Sequence, residues 1–535
     1  MELPSWSVAL QKASTKRPKP ECKLSYGTAG FRTNANLLQS TVFRCGVLMA
    51  LRSLKTSSVT GICITASHNP APDNGVKLVD PSGEMLSQDY EGIADEMANA
   101  ETSEELVGIV KRFIETEGIQ MGQAEGGKVL LAFDTRPSGG PLAEAAAAGI
   151  ESLGVSVELL GMMTTPQLHW AVMRRNQGLR SSEDAYYEHI AGAFGRLCCP
   201  TFSNEQGRRR LHVDCANGVG ALKLEKLKAH VMQTGLEFCL HNTGDGVLNG
   251  KCGSDFIQKE RTVPEAMRHL AVGEAACAVD GDADRLVYFY RQNVEGGVVL
   301  LDGDKIAALV AGLFKELVAA LPGDLSRTSI GVVQTAYANG SSTSYLVQEL
   351  QCQVMVTPTG VKHLHRAAHQ FDIGIYFEAN GHGTVLFRGS FLDALRGVQD
   401  ASAAASEILA LNDLINSAVG DAISDILLVE VALKRRRMDV IEWHTIYSDL
   451  PSRQLACPVK NRFAIVTEDS ERRVSEPREL QLAIDSIVSQ FPGSRSFVRP
   501  SGTEDIVRIY AEASDASQTD EVANGVRQAV MDLLA

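Results

Sequence analysis

Val59-Thr60-Gly61-Ile62-Cys63-Ile64 is an apolar, β-branched run that breaks into Thr65-Ala66-Ser67-His68-Asn69-Pro70, a small polar loop. The run reads as a buried strand, and Asn69-Pro70 favours a turn at its end. Ser67 then lies at the C-terminal end of a strand, where open α/β sheets bind their ligands. A hydroxyl in that place can attack a substrate or carry a covalent phosphoryl group. Taken alone, it reads equally well as an ordinary turn serine.

The same alternation recurs downstream. Val129 to Phe133 leads into Asp134-Thr135-Arg136-Pro137-Ser138-Gly139, Leu211-His212-Val213 into Asp214-Cys215-Ala216-Asn217-Gly218, and Ile330 to Val333 into Thr335-Ala336-Tyr337-Ala338-Asn339-Gly340. Apolar strands followed by polar loops and helix-like segments predict three related α/β units. Polar stretches at Ser181 to Asp184 and Ser203 to Gly207 bracket the first boundary, and a second falls near residue 300. Beyond about residue 440, a polar loop, the strand-like Ile506 to Ala511 and helically spaced Val522, Val526, Val530 and Leu533 predict a small α+β domain. The expected domains are residues 1–190, 191–300, 301–435 and 436–535.

A chain of 535 residues exceeds one hydrophobic core, and 44% hydrophobic with 22% charged residues is globular composition. A net charge of −14 argues against nucleic acid and anionic membrane as partners, so an anionic substrate needs a local basic pocket. The basic run Lys434 to Arg437 ends an apolar, strand-like stretch and reads as solvated. Eleven scattered cysteines lack the close pairs of zinc sites, and no apolar run is long enough to span a bilayer. A cytoplasmic monomer acting on small molecules is expected.

Asp280-Gly281-Asp282-Ala283-Asp284-Arg285 lies between the apolar runs Ala275 to Val279 and Leu286 to Tyr290. Three carboxylates at alternate positions can converge on one hard cation, with Mg²⁺ favoured. An EF-hand is excluded, because Arg285 and Arg291 stand where its glycine and glutamate belong. Arg499, Ser501, Gly502, Thr503 and Arg508 offer guanidinium forks, hydroxyls and backbone N–H groups suited to a phosphate dianion. Glu378-Ala379-Asn380-Gly381-His382 follows the apolar Ile373 to Phe377 and suits sugar hydroxyls, with Thr359 and Gly360 adding polar groups. Neither a G-x-x-x-x-G-K-[ST] loop nor a strand-to-helix G-x-G-x-x-G occurs, which disfavours nucleoside triphosphate and dinucleotide chemistry.

In this order, the serine loop, the three-aspartate loop, the Glu-x-Asn-Gly-His loop and the Arg-Pro-Ser-Gly-Thr loop resemble the α-D-phosphohexomutase superfamily. Tyr26-Gly27-Thr28-Ala29-Gly30-Phe31-Arg32, Asp73-Asn74-Gly75-Val76-Lys77 and Asn249 to Asp255 are similar to its eukaryotic phosphoacetylglucosamine mutase branch, as is Asn380 where glucose and mannose branches carry serine. The resemblance implies three related α/β domains and a smaller C-terminal domain around a central cleft. It implies a catalytic set of Ser67, Lys77, Arg32 and His68, with Ser67 as phosphoserine and one Mg²⁺ on Ser67, Asp280, Asp282 and Asp284. An ammonium beside that ion is expected to have a lowered pKa, suiting Lys77 to acid/base work. Glu378 and Asn380 would grip the sugar, with Gly381, His382, Thr359 and Gly360 also binding substrate, while Arg499, Ser501, Gly502, Thr503 and Arg508 hold the non-reacting phosphate. The implied reaction interconverts N-acetylglucosamine 6-phosphate and 1-phosphate through a 1,6-bisphosphate, with a hexose 1,6-bisphosphate as activator. A glucose or mannose phosphomutase, a serine phosphatase and a non-catalytic sugar-phosphate binder are the alternatives.

Overall fold

The computed structural model describes residues 4–27, 30–122, 127–198, 209–501 and 506–534. The chain forms two compact units, residues 1–300 with 410–431, and residues 301–409 with 432–535.

In the first unit, strands β1 (Phe31–Asn34), β2 (Val59–Ile64), β3 (Asp73–Val79), β4 (Lys128–Phe133) and β5 (Ser156–Met162) form a sheet in the order β1-β3-β2-β4-β5. β2, β4 and β5 run parallel, and β3 is antiparallel to β2. Ile62, Ile64, Val129 and Leu131 join one core, whereas Cys63, Leu130 and Ala132 join another with Leu168, Ala171 and Val172. Burial on both faces explains why these strands read as unbroken apolar runs. Helices Gln39–Thr56 and Gly139–Glu151 pack on the first face. They approach closely at Gly149, where a Cβ would stand 2.0 Å from the Phe43 carbonyl oxygen.

The second sheet has β6 (Arg209–Asp214), β7 (Leu236–His241), β8 (Ala275–Val279), β9 (Leu286–Arg291) and β10 (Val298–Leu301), in the order β10-β9-β8-β6-β7. Residues 410–431 return to this unit. Tyr186 donates to Asp421 at 2.8 Å, and the Ala422 N–H donates to the Ala283 carbonyl at 3.1 Å. The stretch expected to be strand-like before the basic run is instead the helix Ala422–Arg435. Ile423, Ile426, Leu427, Leu428 and Val429 are all buried, and a helix buried all round gives no clear period to distinguish it from a strand. In the basic run, Arg435 and Arg437 are exposed as expected, whereas Arg436 is largely buried and paired to Glu316 at 2.9 Å.

The second unit contains β11 (Ile330–Thr335), β12 (Gln353–Thr357), β13 (Ile373–Phe377) and β14 (Gly383–Phe387) in the order β12-β11-β13-β14. Its remaining strands are β15 (Ser452–Pro458), β16 (Val466–Glu468), β17 (Arg473–Glu476), β18 (Arg495–Pro500) and β19 (Ile506–Glu512), forming the sheet β15-β19-β18 and the hairpin β16-β17. Leu480 and Ile484 of helix Arg478–Val488, with Val522, Val526 and Val530 of helix Ala516–Leu534, cover the face carrying Val498, Val507 and Ile509. This is the expected α+β domain. No helix among the described residues is long and apolar enough to cross a membrane.

Each of the three larger sheets sends an antiparallel hairpin from its parallel set: β2–β3, β8–β9 and β13–β14. Their connections carry, in turn, Ser67, Asp280 to Asp284, and Glu378 to His382.

Candidate active site

Ser67 is buried and adopts the left-handed conformation with φ +48°. For a residue with a Cβ this conformation is uncommon, and it persists only where neighbours over-determine it. They do so here. Arg136, fully buried and paired with Asp134 at 3.0 Å, donates from Nη2 to the carbonyls of Ser67 (3.0 Å) and Asn69 (2.8 Å). Its Nη1 donates to the carbonyls of Pro70 (2.6 Å) and Asp73 (2.8 Å). Asn249 adds bonds to the Ser67 and Asn69 carbonyls at 2.9 and 3.1 Å. A Cβ at Gly281 would stand 2.5 Å from the Ser67 carbonyl oxygen, so this glycine permits the aspartate loop to lie against the serine loop.

Ser67 Oγ donates to Asp282 Oδ2 at 3.2 Å. The same oxygen accepts from Thr165 Oγ1 at 2.6 Å and from Lys77 Nζ at 2.7 Å, and Lys77 also reaches Asp284 Oδ2 at 2.6 Å. Asp280 Oδ1 accepts from the backbone N–H groups of Asp284 and Arg285, which folds the loop back on itself. One oxygen from each of Asp280, Asp282 and Asp284 lies within 4.8 Å of the others. Asp280 Oδ2 and Asp282 Oδ1 are buried and accept no hydrogen bond. Burial, then Asp284 and Asp282, push the Asp280 carboxyl well above its ordinary range. Buried anionic oxygens that converge without donors fit a hard divalent cation, and Mg²⁺ suits an all-oxygen set.

Burial opposes the charge on Lys77, but Asp282 and Asp284 outweigh it and hold the ammonium above its usual pKa. The lowered value expected from the sequence does not hold while those carboxylates face the amine. Arg32 donates to Asn69 Oδ1 at 3.1 Å and leaves Nη2 buried without a hydrogen-bond partner. Burial, assisted by Arg285, lowers the His68 pKa, so its imidazole is neutral at pH 7. Arg285 itself lies 3.3 Å from Asp255 and 4.0 Å from Asp280 and Asp284.

In the second unit, the Glu378 turn is closed by Gly381, with φ +84°, whose N–H donates to the Glu378 carbonyl at 2.7 Å. Asn380 accepts from the His382 N–H at 2.9 Å and donates to Glu378 Oε2 at 3.3 Å, so its amide shapes this turn. A Cβ at Gly303 would stand 1.8 Å from the Glu378 carbonyl oxygen, which fixes the turn against the start of helix Gly303–Ala319. Gly360, with φ +126°, precedes helix Val361–Ala368. Thr359 donates from its N–H (2.8 Å) and hydroxyl (2.5 Å) to Glu471 Oε2, and Arg499 Nη1 lies 3.2 Å from Glu471 Oε1. Arg499 is largely buried with Nε lacking a hydrogen-bond partner, Ser501 is buried, and Arg508 is exposed opposite Arg499 on the β18–β19 ladder. Gly502 and Thr503 lie outside the described residues, as do Thr28 and Ala29 of the first glycine loop.

Arg136, Asn249, Thr165 and Glu471 were not singled out as site residues from the sequence. Arg136 and Asn249 stand in recognisable polar loops, but the carbonyls they hold are 63 to 182 residues away, beyond any local pattern.

Four stretches match family models in succession. Residues 46–105 and 107–180 match the phosphoglucomutase/phosphomannomutase alpha/beta/alpha domain I, and residues 456–529 match its C-terminal domain. Residues 178–287 and 302–438 match domains II and III of phosphoacetylglucosamine mutase AMG1. With the three hairpin loops, these matches define a four-domain enzyme of the phosphohexomutase class. The phosphoacetylglucosamine mutase of Arabidopsis thaliana is 47% identical, with 98% of each chain covered. The Aspergillus fumigatus N-acetylphosphoglucosamine mutase, solved with GlcNAc-6P and magnesium, is 40% identical with a TM-score of 0.92 over 99% of each chain. A second complex of that enzyme holds glucose 1,6-bisphosphate, with 40% identity and a TM-score of 0.92 over 99% of each chain. An N-acetylglucosamine-phosphate mutase of the α-D-phosphohexomutase superfamily, solved with product, is 37% identical with a TM-score of 0.94, covering 98% of this chain and 100% of its own. The chain belongs to the phosphoacetylglucosamine mutase family.

Proposed function

We propose that this protein interconverts N-acetylglucosamine 6-phosphate and N-acetylglucosamine 1-phosphate through a phosphoserine at Ser67 and a bound 1,6-bisphosphate, supplying the 1-phosphate for UDP-N-acetylglucosamine synthesis. The observation that carries this reading is Ser67 Oγ, buried on a left-handed residue, 3.2 Å from Asp282 of the three-carboxylate loop. A phosphoserine carries about −1.5 to −2 charge at neutral pH, which this acidic surrounding would repel without a counter-charge. Asp280, Asp282 and Asp284 would hold one Mg²⁺, which supplies that charge and stabilises the transferring phosphoryl group.

The chain's own groups divide the remaining work. Arg136 and Asn249 keep the serine aimed, and Arg32, with Nη2 available, adds positive charge beside it. Lys77, which donates to Asp282 and Asp284, would act as the acid that returns a proton to the oxygen released at Ser67. Neutral His68 is suited to hydrogen bonding a phosphoryl oxygen. Glu378 and Asn380 would orient the sugar, while Thr359, Arg499 and Ser501 would hold the phosphate that does not react. A site that accepts either phosphate in that place returns the sugar in the opposite sense and completes the isomerisation.

The test compares wild type with Ser67→Ala in converting N-acetylglucosamine 6-phosphate with Mg²⁺ and a trace of hexose 1,6-bisphosphate. Turnover in wild type, its loss in Ser67→Ala and on chelation of Mg²⁺, and slower conversion of glucose phosphates are expected. Isomerisation of glucose or mannose phosphates alone would retain the mechanism and overturn the substrate. Undiminished turnover by Ser67→Ala would overturn the phosphoserine.

A further inference from the structure

A second polar cluster in the first unit takes no part in this chemistry. His212 lies on β6, His241 ends β7, and His269 stands in an exposed turn ahead of β8. β6 and β7 are parallel, with His212 opposite Cys239 and Asp214 opposite His241. That register, with the period of two along a strand, puts His212 and His241 on the same face. His212 Nδ1 lies 2.9 Å from His241 Nε2. Ring centroids are 5.2 Å apart for His212 and His241, 5.1 Å for His241 and His269, and 5.7 Å for His212 and His269. One nitrogen from each of the three rings falls within 4.8 Å of the others.

We propose that His212, His241 and His269 form a binding site for a divalent transition-metal ion of the Zn²⁺ class, chemically distinct from the aspartate loop. Two nitrogens bound to a tetrahedral ion at about 2.0–2.1 Å lie roughly 3.3 Å apart. The His212–His241 pair therefore needs to open by a few tenths of an ångström, with the ion replacing the proton they share. His269, in its exposed turn, can close on the ion with little cost to the fold.

The surroundings favour the metal-bound form. His212 Nε2, the ring nitrogen facing away from His241, lies 3.3 Å from Glu274 Oε1. A carboxylate behind a ligating imidazole fixes its tautomer and raises its basicity. Three imidazoles select Zn²⁺, Co²⁺, Ni²⁺ or Cu²⁺ over Mg²⁺, which prefers oxygen. The ordinary alternative, a stack of neutral histidines, predicts no ion.

The full-length protein, kept in saturating Mg²⁺ to fill the aspartate loop, is titrated with Zn²⁺ by calorimetry and with Co²⁺ by visible absorption. One ion per chain is expected, with Co²⁺ bands of low-coordinate nitrogen ligation. His269→Ala should weaken binding at least tenfold while preserving mutase turnover, which verifies its fold, and Asp282→Asn should leave the Co²⁺ spectrum unchanged. Glu274→Ala should weaken binding by roughly 10- to 100-fold. Absence of binding in the presence of Mg²⁺, equal affinity in wild type and His269→Ala, or loss of the Co²⁺ bands in Asp282→Asn would each overturn the proposal.

Discussion

Ser67 holds a backbone conformation that costs of order 1–3 kcal/mol, and the opposing interactions come from two side chains outside its own loop. Arg136 gathers four carbonyls of residues 67 to 73, and Asn249 takes two of them again from the loop that follows β7 in the same unit. Removing Arg136 would strand the buried Asp134 carboxylate, so its loss would be expressed mainly as misfolding. Asn249→Ala is the cleaner probe, since it removes two neutral bonds of about 0.5–1.5 kcal/mol each. Its kcat should fall roughly tenfold with KM changed by less than a factor of about three, as steady-state kinetics would read. An equal loss in KM alone would mean that Asn249 serves binding and not the aim of the serine. Ser67 and the three aspartates were legible because their loops interrupt strong apolar runs. The anchoring role of Arg136 was hidden, because nothing local distinguishes it from a surface arginine beside a proline.

At the scale of elements, the three hairpins explain why chemically unlike loops recur at one topological place. In each, the parallel strand delivers the loop and the antiparallel strand carries the chain away, which leaves the polar turn at the sheet's end. The β16–β17 hairpin adds a feature absent from the sequence reading. Its turn places Asp469, Ser470 and Glu471 at positive φ, and Glu471 engages Thr359 and Arg499. A phosphate on Arg499 must compete with that carboxylate. Glu471→Gln should therefore lower KM for the sugar phosphate roughly three- to tenfold, a charge-assisted contact being worth about 1–2 kcal/mol when partly solvated. Raised KM would show instead that Glu471 braces Arg499. Asn380 changes meaning in the same way. Both ends of its amide are used within the Glu378 turn, so the residue that stands where the glucose and mannose branches carry serine also has a structural role.

For the molecule as a whole, residues 410–431 complete the first unit from a distance in sequence. Their buried Ile423, Ile426, Leu427 and Val429 each contribute about 1.5–3 kcal/mol, a large share of the 5–15 kcal/mol that ordinarily holds a domain. A fragment of residues 1–300 should consequently unfold at least roughly 10 °C below the same fragment carrying 410–431 on a linker. Equal midpoints by circular dichroism would count against this account. The returning helix also makes stability depend on pH. Asp425 is buried with Oδ2 lacking a hydrogen-bond partner, and burial, then Asp421, raise its pKa well above the ordinary value. A carboxyl whose folded pKa is raised stabilises the fold below the unfolded value, near 4, and that stability is lost as pH climbs toward the folded value at about 1.4 kcal/mol per pH unit. Asp425→Asn should match wild type in thermal midpoint at pH 4 and exceed it at pH 8; a constant offset at both would refute the linkage.

By itself the sequence determined the strands, the polar loops that end them and the residue types each loop presents. Those depend on hydrophobic period, turn chemistry and charge within a dozen neighbouring positions. Only the tertiary structure decided which groups meet: Lys77 on Asp282 and Asp284, Arg136 beneath Ser67, Glu471 on Arg499, and three histidines drawn from separate segments. It also decided that the apolar stretch before the basic run is a helix, of which residues 422–431 belong to the first unit. The reason is physical. Local preference sets what a segment can become, whereas burial and pairing between segments far apart in the chain select the form and the neighbours it takes.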